Sequence, residues 1–396
     1  MSGSLINVYN NAAFAMARQA ETMARLQEQA STGSRINRTS DDPSAAYRVL
    51  GLNSQQISLS SYSDAIDEII SSMDFTSTIF SQIQSELTNT KARITQVLGG
   101  IYDETTRKNL ADGINDILEQ VVSFANTKHS GQYLFGGTDS ASAPYVVERD
   151  NNGKIAAVTY QGSLENRNVE VSPGVEASAY QIGDDIFRSD DRSDPQFIGS
   201  TGAANGTGTS SVTGYVWLTV TYDGSNYKMS VDDGASWTTV PAGGDPNQAV
   251  TDSRTGKILY IDSTAINSTG TDLVCVPGTH DIFNTLITIR DVFKNNRNLP
   301  ESQIQDIRDS LLESLDEVSR LVTQTSVSTG SKVNFLNNLK QGLEDIKFNS
   351  ETEATHIEEA DVTQIAIDLA RSSTLYQMSL AVVAKALSMS LLDFIK

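Results

Sequence analysis

Three features of the sequence predict a mainly α protein carrying an inserted β domain. Two long segments, one early and one late in the chain, carry unbroken apolar stripes at heptad-like spacing. Glycine and proline, which punctuate regular structure, collect between them: six of the eight prolines lie within residues 139–282, while residues 283–396 hold only Gly330 and Gly342. The middle segment alternates β-branched and aromatic runs with Asp-Gly and Gly-Gly turns. A length of 396 residues suits two or three domains. The expected partition is a terminal helical region of residues 1–43 plus 362–396, a helical rod of 44–138 plus 283–361, and an outer β-rich domain of 139–282.

The first long helix is predicted over residues 55–97. Its seam runs Leu59, Tyr62, Ile66, Ile69, Met73, Thr76, Phe80, Ile83, Leu87, Thr90, Ile94 and Val97, alternating steps of three and four. Such a helix is about 65 Å long at about 1.5 Å per residue, and Gly99-Gly100 is expected to end it. Leu110, Ile114, Ile117, Val121 and Phe124 supply a second helix. A third seam runs Leu311, Leu315, Val318, Val322, Thr325, Thr329, Lys332, Leu336, Leu339, Leu343 and Ile346. Three amphipathic helices, two before the middle segment and one after it, can bury their stripes only against one another. This predicts a long antiparallel coiled-coil rod with the middle segment as a β-rich tip.

Strands are expected over residues 154–160, 215–222, 227–231 and 257–261, with turns at Asp223-Gly224, Asp233-Gly234 and Gly243-Gly244. Both tryptophans, Trp217 and Trp237, are expected in the core of this domain. Because its two ends should lie close together, the insertion is expected to be removable without loss of the rod.

The chain ends carry stripes of their own: Leu5, Tyr9, Ala12, Met16, Met23, Leu26 and Ala30 at the start, and Val362, Leu369, Tyr376, Leu380, Val383, Leu387 and Phe394 at the finish. Two paired helices have no visible third helix to cover them, and exposed apolar surface of this extent calls for a partner. Charge sets the ends apart as well. Lys plus Arg is 29 against 49 Asp plus Glu, a net −20, yet residues 1–60 and residues 372–396 each sum to +1, leaving −22 for the remainder. The acidic body disfavours nucleic acid and acidic membrane surfaces as partners. The nearly neutral, apolar-faced ends point to burial in an assembly.

No enzyme reading survives comparison with its blander alternative. His129, His280 and His356 stand in no zinc-ligand spacing, and neither a P-loop nor G-x-G-x-x-G occurs. Ser225 and Lys228 match S-x-x-K, but they follow Asp223-Gly224 in a predicted hairpin, whereas that motif needs one helical turn. Asp184, Asp185, Asp190, Asp191 and Asp194 lack the alternation of a calcium loop and read as a solvated acidic loop. Catalytic, cofactor and metal residues are therefore expected to be none. The single Cys275 allows no intrachain disulfide. Residues 1–17 lack the basic and apolar regions of a cleaved secretory signal. Residues 372–392 hold eight polar or charged side chains, too many for a bilayer span.

Two loops carry paired readings. Around Gly33–Pro43, Gly33 closes one helix while Asp41 or Asp42 caps the next, with Pro43 in its first turn. Arg35 and Arg38 can also meet acidic neighbours in an assembly. At Tyr133–Gly137 the chain offers either an aromatic edge of the helical core with a glycine turn, or a device that positions the β domain.

Residues 31–46, STGSRINRTSDDPSAA, resemble the stretch near the N-terminus of flagellins and hook-associated proteins, and residues 375–396, LYQMSLAVVAKALSMSLLDFIK, resemble their C-terminal helix. Ala125-Asn126-Thr127, the run Gly131-Gln132-Tyr133-Leu134-Phe135-Gly136-Gly137-Thr138, residues 158–162 and 283–287, and Arg290-Asp291 are more similar to the hook-filament junction branch than to flagellin. The resemblance covers residues 1–138 and 283–396 and only the edges of the insertion; residues 205–211 and the two-tryptophan strands have no match in it. It implies a non-enzymatic structural subunit of the bacterial flagellum, exported through the flagellar type III apparatus to the cell exterior. The implied assembly is a ring that adapts the hook side to the filament. The implied partners are further copies of the chain, the adjacent hook-associated junction protein, flagellin and a flagellar export chaperone. Filament flagellin and an acidic coiled-coil surface adhesin are the alternatives. The assembly residues expected are Tyr9, Met16, Met23, Leu26, Arg35, Arg38, Leu369, Tyr376, Leu380, Val383, Leu387 and Phe394.

Overall fold

The computed structural model describes residues 2–98, 104–178 and 180–394, with side chains at 7, 10–96, 104–178 and 180–385. The expected stop at Gly99-Gly100 lies outside the described residues. The chain divides into two compact units, Met1–Asp64 with Leu339–Lys396, and Ala65–Asn338.

Seven helices are described: α1 (Ser2–Thr32), α2 (Pro43–Leu98), α3 (Glu104–Ala125), α4 (Gly183–Phe187), α5 (Ile282–Lys294), α6 (Glu301–Glu358) and α7 (Val362–Phe394). The strands are β1 (Lys128–His129), β2 (Gln132–Tyr133), β3 (Tyr145–Arg149), β4 (Ile155–Tyr160), β5 (Asn168–Ser172), β6 (Val175–Ser178), β7 (Gln196–Ile198), β8 (Ala204–Asn205), β9 (Gly214–Tyr222), β10 (Tyr227–Ser230), β11 (Thr238–Thr239), β12 (Gln248–Thr251), β13 (Ile258–Asp262) and β14 (Gly270–Val276).

In the unit Ala65–Asn338 the seam of α2 is buried at Ile66, Ile69, Met73, Thr76, Phe80, Ile83, Leu87, Thr90 and Ile94. It meets the buried faces of α3 (Ile114, Ile117, Leu118, Val121) and α6 (Leu311, Leu315, Val318, Val322). Polar contacts fix α2 and α6 antiparallel here: Gln84 donates to Ser319 at 2.6 Å, and Lys91 pairs with Asp316 at 2.6 Å. In the α6 seam the expected position Lys332 is exposed, while Thr329 before it and Leu336 after it are buried.

Helix α5 was not foreseen from spacing, although it completes this core with Phe283, Leu286, Ile289, Val292 and Phe293. It starts at Asp281, whose carboxylate accepts from the Asn284 N–H at 2.7 Å, and ends at Asn295 in the left-handed region (φ 47°). Its Arg290 is buried, donating to Asn115 on α3 at 3.1 Å and to the Ile155 carbonyl on β4 at 2.5 Å. One guanidinium thus joins two helices and a strand in low-dielectric surroundings, where each unmade bond would be costly.

The β-rich segment holds a five-stranded sheet, β11-β10-β9-β14-β7, and a three-stranded sheet, β12-β13-β8, besides the hairpins β1-β2, β3-β4 and β5-β6. All pairings are antiparallel. Strands β4, β9, β10 and β13 lie where the sequence expects them. The central β14 was missed, since its Gly-Thr-Asp start masks the apolar run that follows.

The sequence expects both tryptophans in the β core; neither lies there. That core is built from Leu218, Val220, Met229, Val250, Leu259, Ile261, Val274 and their neighbours. Strand alternation sends Tyr215 and Trp217 of β9 to the opposite face, against the helical core. There the Arg297 guanidinium sits 4.7 Å over the Trp217 ring. Trp237 is 43% exposed.

The same face ties the insertion, which the sequence expects to be removable, into the helical core. Tyr145, Ile155, Phe187, Tyr215 and Leu273 all belong to the helical core, and the Tyr215 hydroxyl donates to the Ser310 carbonyl of α6 at 2.7 Å. Tyr133–Gly137 serves both of its readings. Phe135 is fully buried between Phe80 and Phe187, and Gly136 bridges Ile182. A Cβ on Gly136 would fall 2.1 Å from the Asp139 carbonyl oxygen, so only glycine fits.

Phe135→Ala should lower the stability of this unit by about 3–5 kcal/mol, read as a reduced midpoint in urea-induced unfolding followed by circular dichroism.

Candidate assembly surface

The unit Met1–Asp64 with Leu339–Lys396 is held by the turn that joins α1 to α2. Gly33 closes α1 with φ 71°, and its N–H donates to the Gln29 carbonyl at 2.9 Å. Asp42 then caps α2, accepting from the Ala45 N–H at 3.0 Å, with Pro43 as the first helical residue. Asp41 stabilises the turn itself, accepting from the N–H groups of Asn37 (3.1 Å) and Arg38 (2.9 Å). The sequence left open which aspartate caps; backbone geometry decides for Asp42.

This turn is bonded to the junction of α6 and α7. The Arg35 N–H donates to the Glu358 carbonyl at 2.6 Å, and the Ala360 N–H to the Gly33 carbonyl at 3.0 Å. Both expected assembly arginines find partners within the chain. Arg35 pairs with Asp42 at 3.1 Å and donates to the Ile357 carbonyl at 3.2 Å. Arg38 pairs with Glu28 at 3.2 Å. Arg48 near the start of α2 forms an ion pair with Glu353 of α6.

Asp361 starts α7, accepting from the Gln364 N–H at 3.0 Å. Helices α1 and α7 then pack along one another, with Leu26, Ala360, Ile365 and Leu369 as their small core. Met16, Met23, Tyr376 and Val383 are half-buried, and Ser379 donates to Gln19 at 3.5 Å. Six of the expected assembly residues, Met16, Met23, Leu26, Leu369, Tyr376 and Val383, are thereby covered or partly covered within one chain, while Leu380 is exposed. The side chains of Tyr9, Leu387 and Phe394 lie outside the described residues.

The apolar surface left exposed in one chain is a different one. On α7, Ile367, Leu375, Met378 and Val382 are 58%, 43%, 59% and 66% exposed and recur at helical spacing. Phe14 on α1, and Tyr47, Leu50 and Ile57 on the first turns of α2, are exposed too. Ile346, expected in the α6 seam, is 46% exposed. Helix α7 carries apolar residues on two faces: Ile365 and Leu369 on the one that meets α1, and Ile367, Leu375, Met378 and Val382 on another.

The other features singled out in the sequence have local explanations. Ser225 and Lys228 lie in the β9-β10 turn, where Asp223 accepts from the Ser225 N–H at 2.9 Å and pairs with Lys228 at 2.9 Å. Asp184 pairs with Arg188 at 2.5 Å. Among the described residues no group of His, Cys, Asp and Glu is placed to hold a metal ion, and no helix is long and apolar enough to cross a membrane. Burial pushes the Cys275 thiol up to about 11, so it is protonated and inert at neutral pH.

Residues 4–140 match the bacterial flagellin N-terminal helical region. The chain is similar to flagellar hook-associated protein 3 of Escherichia coli, 30% identical over 172 residues, which cover 43% of this chain and 51% of that protein. It is also similar to flagellar hook-associated protein 3 of Salmonella typhimurium, 31% identical over 128 residues, covering 32% of this chain and 40% of that one. It thus spans about half the length of the curated relatives it matches, or less. The crystal structure of flagellar hook associated protein-3 from Legionella pneumophila shares the fold, with a TM-score of 0.53 at 16% identity, covering 77% of this chain and 98% of that chain.

The Ala45 N–H, and then the Arg35 side chain, hold the Asp42 carboxyl below its ordinary value of 3.8. A depressed folded pKa stabilises the fold above the unfolded value, and that contribution is lost as pH falls through the folded one. From about pH 5 down to about pH 2 the wild-type chain should therefore lose more helix stability than Asp42→Asn, measured by thermal melts followed by circular dichroism.

Proposed function

We propose that this chain is a structural subunit of the bacterial flagellum at the hook-filament junction. In this reading copies self-associate into a ring that adapts the hook side to the flagellin filament and templates its growth. The observation that carries it is the pair α1 and α7, which cover one stripe of each other and leave a second apolar stripe on α7 in water. Such surface is stable only when a neighbour removes it from solvent. Similarity to proteins named flagellar hook-associated protein 3 supports the junction rather than the filament itself.

The division of labour follows the sequence partition. Residues 1–43 with 362–396 form the assembly region, residues 44–138 with 283–361 form the helical rod, and residues 139–282 form the outer domain. Tyr9, Leu380, Leu387 and Phe394 join the outward stripe as assembly residues. The neighbours are further copies, the adjacent hook-associated junction protein and flagellin. A flagellar export chaperone covers the C-terminal helix before export through the type III apparatus to the cell exterior. The chain works by packing rather than by catalysis and needs no cofactor.

Electron microscopy of a strain lacking the chain tests this reading. Hooks without filaments, with flagellin in the medium, are expected. Hooks without filaments and no flagellin in the medium would make the chain the filament subunit, and intact flagella would make it an adhesin. In the complemented strain Met378→Asp should be secreted and melt at the wild-type temperature, because Met378 is 59% exposed in one chain. It should still build no filaments, since burying each such side chain contributes roughly 1.5–3 kcal/mol and a carboxylate reverses that contribution in every subunit. Normal filaments on cells secreting Met378→Asp would remove the α7 stripe from the interface.

A further inference from the structure

Alongside the outward stripe of α7, a groove of about 510 Å³ between α1 and α7 is lined by Arg18 and Arg25 from one helix and by Arg371 and Leu375 from the other. The three arginines are exposed, and none of their guanidinium groups has an ion-pair or hydrogen-bond partner among the described residues. Asp368 is the one carboxylate lining the groove, and Gln364 donates to it at 3.2 Å. Unpaired cations of this density are anomalous in a chain of net charge −20.

The matching surface is the C-terminal end of α6. Residues 351–361 hold five carboxylates, Glu351, Glu353, Glu358, Glu359 and Asp361, and no Lys or Arg. Glu353 is taken by Arg48 and Asp361 by the start of α7. The Glu351 and Glu358 side chains have no partner among the described residues. They stand seven residues apart, about 10.5 Å along one face of a helix, as do Arg18 and Arg25 on α1. Phe348, 68% exposed, lies one turn before Glu351 and offers an apolar contact for Leu375, 43% exposed, in the groove.

We propose that the groove of Arg18, Arg25 and Arg371 docks the acidic end of α6 from a second copy of this chain, head to tail. The inference rests on the reading of the chain as a self-assembling subunit. Without such pairing, copies of net charge −20 repel as they approach. The contact is heterologous, because groove and acidic end are different residues of one chain, so it propagates from copy to copy and closes into a ring if the rotation allows. It adds direction and register to the apolar stripe, which specifies neither.

The test uses the full chain and two charge-reversed variants, Arg18→Glu/Arg25→Glu and Glu351→Arg/Glu358→Arg. Self-association is followed by sedimentation velocity over a range of concentration and salt, and folding by circular dichroism. Wild type should associate, less so as salt rises. Each variant alone should fold and associate at least tenfold more weakly. An equimolar mixture should recover association, because each reversed groove then meets a reversed acidic end. Association of wild type that neither variant weakens, or a mixture no better than either variant, would overturn the docking and leave the assembly reading standing. Wild type that stays monomeric throughout would overturn the docking as well, while the assembly reading is decided by the filaments of the strain lacking the chain.

Discussion

An apolar stripe on a helix cannot face water, and in this chain the stripes lie at opposite ends of the sequence. Removing the stripe of α2 from solvent requires α6, more than two hundred residues later, and the turn after α1 is bonded to the junction of α6 and α7. Every other feature depends on this return of the chain. The β-rich segment must leave and re-enter beside itself, and the two chain ends are brought together as α1 and α7. Side-chain bonds such as Gln84 to Ser319 and Lys91 to Asp316 set register, while burial of the stripes supplies the driving force.

The β-rich segment is not an appendage on that frame. Alternation along β9 assigns Leu218 and Val220 to one core, and Tyr215 and Trp217 to the other. Phe135, Arg290 and the Tyr215 hydroxyl then tie strands to helices by packing, by charge-assisted hydrogen bonds and by a buried hydroxyl. A segment that looks like an independent tip by composition therefore shares its interior with the helices that carry it. Its own core remains small and aliphatic, which leaves Trp237 at the surface.

Charge and apolar surface are divided along the chain in a way that suits assembly. The carboxylates that make the protein acidic lie mostly outside the terminal segments, and those in the turn at 33–42 are occupied with caps and local ion pairs. Arg35 and Arg38, which invite an intermolecular role by position, serve the bend within one chain. Arg18, Arg25 and Arg371, which no pattern marks in the sequence, share one groove without local ion-pair partners among the described residues. Free charge beside free apolar surface is what a repeating contact needs: the first orients, and the second holds.

Local physics made much of this legible in advance. The period of Leu59 to Ile94 and of Leu311 to Val322, the glycine and proline distribution, and the Asp-Gly turns depend on neighbours three, four or two residues away, so the helices, four strands and the capped turn at Pro43 could be read without coordinates. What could not be read depends on which surfaces meet. Helix α5 and strand β14 take their places because buried partners from distant segments surround them. The outward face of α7 is exposed only because α1 covers the other, and a helix with two apolar faces does not declare which one that is. The sequence by itself determined that the ends must be buried against something; the tertiary structure decided which stripe the chain buries itself and which it leaves for a neighbour, because burial is a property of pairs of surfaces and not of either one alone.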